Sequence, residues 1–134
     1  MHKILLLLLL IPMTGCNKPA NEWIKVNQDD SAGFTSYTRP SDLVREGNLV
    51  KLWVLFDYKS AQSVVADKPF MSSTTQYEFM CDGKQNRRIS VSWHSENMGR
   101  GGIVFSHSNP GKWEPIMYGT INAGLLEVAC GTGK

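Results

Sequence analysis

Beyond the first fifteen residues, apolar residues crowd most densely into residues 48–58, NLVKLWVLFDY. Read with the two-residue period of a strand, Val50, Leu52, Val54, Phe56 and Tyr58 fall on one face, and Leu49, Trp53 and Leu55 on the other. A strand apolar on both sides needs cover on both, so the segment is predicted to lie at the centre of a sheet. At about 3.3 Å per residue it would span roughly 36 Å. Its second apolar face asks for a partner, either an early hairpin or a second copy of the chain.

The same alternation marks the other strands. Residues 22–27 and 34–38 read as a hairpin joined by the turn chemistry of 28–33 (QDDSAG). Residues 41–47 read as a helical turn or a loop broken at Gly47, and 59–69 as a loop or brief helix stopped by Pro69. Residues 70–81 alternate from about Thr74, and Asp82-Gly83 signals a tight hairpin. In 86–95, Ile89, Val91 and Trp93 are predicted to point one way, and Arg88, Ser90, Ser92 and His94 the other. Residues 98–102 (MGRGG) form a turn, 103–106 a short strand and Asn109-Pro110-Gly111 another turn.

The period changes at 120–130. Ile121, Leu125, Val128 and Ala129 share one helical face, with Thr120 as N-cap and Gly131 just past the end. Gly124 lowers helix propensity by about 1 kcal/mol against Ala, so this helix depends on docking. The expected architecture is α+β: an antiparallel meander covered on one face by a C-terminal helix.

Residues 1–15 are set apart as a targeting segment. An unbroken apolar run from Ile4 to Ile11 is too short to cross a bilayer core of about 30 Å. Met13-Thr14-Gly15-Cys16 resembles the bacterial lipobox, with Met13 where Leu is more usual. The resemblance implies acylation of Cys16 and cleavage before it. Asn17 stands where Asp retains lipoproteins in the inner membrane of many Gram-negative bacteria, so the outer membrane is expected. Residues 16–21 would then be a short tether and 22–131 the domain.

A mature chain of 119 residues, 134 less the leader, is enough for one domain. Loss of Lys3 leaves 13 basic against 12 acidic residues, which gives no reason to expect nucleic acid. With Cys16 acylated, Cys81 and Cys130 remain in an oxidising compartment and are expected to pair. A metal site built on them is the weaker reading, because neither sits in a CxxC pair or beside spaced histidines.

Residues 52–58 (LWVLFDY), Gln76-Tyr77-Glu78 followed by Cys81, residues 97–102 (NMGRGG), Ser108-Asn109-Pro110-Gly111, Trp113-Glu114-Pro115 and the closing Cys130 together resemble the surface-adhesin E family of bacterial lipoproteins. The likeness covers residues 22–131. It implies a six-stranded antiparallel sheet with a C-terminal helix tied on by a disulfide. It also implies a homodimer and binding to matrix or serum proteins such as laminin, vitronectin and plasminogen. In that family a basic strand-pair region contributes to binding. The matching stretch here, residues 71–95, carries Arg87 and Arg88 but no long basic run.

Arg87 and Arg88, with Lys84 and Arg100, are the candidate partner-binding residues; a solvated strand face is the competing reading. His94 and His107 are expected to face solvent, and Trp53, Trp93 and Trp113 to serve in the core, an interface or the sheet face. Asp57 ends a strand but has no nucleophile or second carboxylate placed with it in sequence. No phosphate loop, HExxH, GxSxG or dinucleotide fingerprint is present. The expectation is a non-catalytic, adhesin-like outer-membrane lipoprotein without cofactor or metal. A periplasm-facing structural lipoprotein is the alternative.

Overall fold

The computed structural model describes residues 22–29, 31–64 and 67–131, together with residue 15. The remainder of the expected leader, Cys16 and the tether lie outside the described residues. In chain order the elements are β1 (Ile24–Asp29), β2 (Phe34–Thr38), a 3-10 turn (Pro40–Asp42), β3 (Val44–Glu46), β4 (Leu49–Gln62), β5 (Phe70–Met80), β6 (Gln85–His94), a second 3-10 turn (Asn97–Gly99), β7 (Ile103–His107), β8 (Glu114–Pro115) and α1 (Ile121–Cys130). All strand pairings are antiparallel. The main path runs β1-β2-β4-β5-β6-β7, while β3 lies beside β4 and β8 beside β6.

β4 is the central strand, as its two apolar faces require, and it is longer than the alternation alone suggests. It continues through Lys59 to Gln62, where a loop or brief helix was expected. Pairing explains the extension: beyond an irregularity after Asp57, Gln62 pairs with Phe70 of β5. Residues 41–47 resolve into the 3-10 turn and the short β3 against Val50.

One face of β4 and β5 meets α1. Val50, Leu52, Val54, Phe79, Leu125 and Ala129 form the buried core, with Ile121 and Val128 packed beside them. Burying a leucine such as Leu125 contributes about 2 kcal/mol or more. Thr120 caps the helix by accepting from the Ala123 amide at 3.3 Å. Arg45 of β3 donates to the Ala129 carbonyl at 2.8 Å, a cation at the negative end of the helix. Cys81, just past β5, is bonded to Cys130, the last helical residue, with Cα atoms 5.7 Å apart.

The bridge closes a span of 49 residues, so replacing both cysteines with serine should lower the unfolding free energy by about 4 kcal/mol. Urea denaturation of the two proteins measures this. A loss below roughly 1 kcal/mol would mean that the helix holds its place without the bridge.

Candidate binding surface

α1 packs on β1, β4 and β5, and so covers only part of the sheet face it meets. Phe56 borders the core, and past it the face continues as a row of rings. Strand register places them. Phe34 of β2 pairs with Tyr58, Ser36 with Phe56, Ser73 of β5 with both Phe56 and Trp93, and Trp93 with Phe105 of β7. Facing residues in a ladder share a side, and the small Ser36 and Ser73 leave room for the large rings to lean over them. Phe34 meets Phe56 and Tyr58 edge-on at 5.6 and 6.0 Å, and Tyr58 meets Phe70 at 5.7 Å. Phe70 stacks on Trp93 at 4.5 Å, and Trp93 contacts Phe105 at 4.4 Å. Phe70 is buried beneath its neighbours, whereas Phe34, Tyr58, Trp93 and Phe105 are half-exposed. The row is therefore a continuous apolar surface crossing β2, β4, β5, β6 and β7.

Part of the opposite face is covered by the chain itself. The turn at 97–102 folds back over β4 and β5, where an early hairpin or a second copy was expected. Asp57 Oδ1 accepts from Asn97 Nδ2 at 3.0 Å and from the Met98 amide at 2.7 Å. Ser72 Oγ donates to the Glu96 carbonyl at 2.6 Å and accepts from the Gly99 amide at 2.9 Å. Met98 lies at φ 59° and Gly99 at φ 69°, so the turn needs this anchoring to hold a left-handed non-glycine residue. Leu55 is fully buried beneath it. His94, expected at the surface, is buried on this face and pairs with Thr74 Oγ1 at 2.9 Å. Burial lowers its pKa from the ordinary histidine value. Asp57 thus anchors a turn.

The four candidate basic residues do not form one patch. Arg87 pairs across the strands with Glu78 and Arg88 with Tyr77, so the two arginines point to opposite faces. A bulge at Ile89 shifts the alternation read for β6, because Ser90 faces Gln76 while Arg88 faces Tyr77. Arg87 holds the nearly buried Glu78 carboxylate at 2.7 Å and lies 4.6 Å over the Trp113 ring. Arg88 is exposed; burial raises the Tyr77 pKa, and the Arg88 charge partly offsets that. Lys84 precedes β6 and Arg100 follows it, so both are exposed at opposite ends of a strand roughly 30 Å long. Among the described residues, no group of three or more metal-ligating side chains comes together, and no helix is long and apolar enough to cross a membrane.

The family model described as surface-adhesin protein E matches residues 23–131. The chain belongs to the surface-adhesin E family. It is an adhesin-like surface protein, with the sheet, helix and disulfide that the resemblance implies. Solved structures share its fold. Haemophilus influenzae protein E in crystal form II superposes with a TM-score of 0.65 at 10% identity, covering 84% of this chain and 91% of that one. A second structure of that protein gives 0.63 at 10% identity, covering 85% and 89%. Protein E from non-typeable H. influenzae gives 0.59 at 8% identity, covering 84% and 77%. No curated protein sequence matches the chain.

The aromatic row escapes a reading along the chain, because Phe34, Phe70 and Phe105 meet only through the register of five strands. Its one trace in the sequence is a ring on the same side of successive strands. The position of Arg87 also changes what its removal would do. Arg87→Ala should cost on the order of 2–3 kcal/mol, since it strips a buried carboxylate of its partner. The Glu78→Gln/Arg87→Ala pair should recover much of that loss. A double-mutant cycle in urea checks it, and additive losses would show that the ion pair contributes nothing.

Proposed function

We propose that this chain is an outer-membrane lipoprotein, anchored through an acylated Cys16, that holds host or extracellular proteins on the aromatic half-face of its sheet without catalysis. The observation that carries this reading is the open row of Tyr58, Trp93 and Phe105 on a surface α1 leaves uncovered. Rings locked by one another lose little freedom on binding, and tryptophan and tyrosine dominate the energetics of protein contacts. Exposed Arg88 would add positive charge on the same side, with Lys84 and Arg100 steering from either end of β6. A homodimer would use the same rings, so self-association and partner binding would compete.

Solid-phase binding to laminin, vitronectin and plasminogen tests the reading. Phe105→Ala is expected to weaken binding by about tenfold or more while leaving the fold intact. Arg88→Ala should act mainly on association rate and salt dependence. Binding that survives loss of Phe105 unchanged would refute the assignment of this surface. Resistance of the domain to protease shaving of intact cells would favour a periplasm-facing structural protein.

A further inference from the structure

A second site lies on the face away from α1. Trp23, Arg39, Asp42, Trp53, Thr74 and Met98 bound an open depression of about 320 Å³. That volume is at the low end for small-ligand sites, which run from about 300 to 1,000 Å³. Distant parts of the chain build it: the approach to β1, the Pro40–Asp42 turn, the middle of β4 and β5, and the Asn97–Gly99 turn. The Asp57 and Ser72 hydrogen bonds that fix that turn also fix Met98 at the site.

Its chemistry is that of indole walls with one neutralised charge pair. The Arg39 guanidinium lies 4.1 Å over the Trp23 ring and 3.2 Å from Asp42. Both polar side chains are half-buried and held in place, so a donor and an acceptor stand side by side without rotamer search. Arg39 Nε is buried without an acceptor among the described residues and out of a ligand's reach, so the terminal nitrogens are the donors Arg39 offers. An anion at the guanidinium would sit beside the Asp42 carboxylate and be repelled by it, and a cation finds one face of Trp23 already taken by Arg39. A ligand with an apolar face and a rim of uncharged hydroxyls meets neither obstacle. We propose that this depression binds a neutral sugar ring, its C–H face against Trp53 and its hydroxyls on Arg39 and Asp42.

The site and the aromatic row are on opposite faces, so each can fail without the other. Saturation-transfer NMR of the mature chain against the methyl glycosides of glucose, galactose, mannose, fucose and N-acetylglucosamine provides the test. Transfer to ring protons of at least one glycoside is expected. Asp42→Asn and Trp53→Ala, each checked by thermal melting, should weaken binding on the order of tenfold. Phe105→Ala should leave it unchanged. No transfer from any glycoside at millimolar concentration, binding indifferent to both substitutions, or binding of a sulfated disaccharide in preference to every neutral sugar would overturn the proposal.

Discussion

Leu125 sits where α1 presses on Val50, Leu52 and Phe79, and the bond from Cys130 to Cys81 holds it there. A helix of ten residues with a central glycine is too short to persist alone in water. Its existence depends on this seat. The bridge, the Thr120 cap and Arg45 on the last turn all act at the ends, while the apolar contact acts in the middle. Because the helix is short, it covers one end of the face, and the rings beyond Phe56 are left to cover one another. Core and candidate binding surface are thus two consequences of one limited helix.

The other side of β4 obeys the same requirement by a different route. Leu55 must be covered, and the turn at 97–102 does it from within the chain. Asp57 and Ser72, buried or half-buried polar groups on β4 and β5, exist there with partners supplied by that turn. Unpaired, each would be costly in such a place. Satisfying them fixes Met98, and Met98 walls the depression with Trp53. Leu55 is therefore covered from within the chain, without a second copy of the protein.

Much of this was legible along the chain. Alternation located β2 and β5, and the core of β4 stood out because it is apolar on both faces. Thr120 and Gly131 framed α1 because caps are local chemistry, and setting Cys16 aside as an expected acylation site left Cys81 and Cys130 one economical pairing. What stayed hidden depends on partners distant in sequence. Residues 59–62 have no strong pattern, and the strand runs on to Gln62 because that residue pairs with Phe70 of β5. The bulge at Ile89 cannot be seen without the facing strand, and it is what puts Arg88 on the opposite face from Ser90. MGRGG reads as a turn, but that it lies on Leu55 follows from an Asp57–Asn97 contact 40 residues apart. Arg87 looked like a free charge, yet Glu78 and Trp113 claim it.

Hydroxyl-radical footprinting of the oxidised protein tests the division of the sheet face most directly. Tyr58, Trp93 and Phe105 should be labelled readily, while Phe79 and Leu125, under the helix, should be protected. Protection of Trp93 and Phe105 equal to that of Phe79 in the free protein would contradict the account, because the face would then be closed along its whole length.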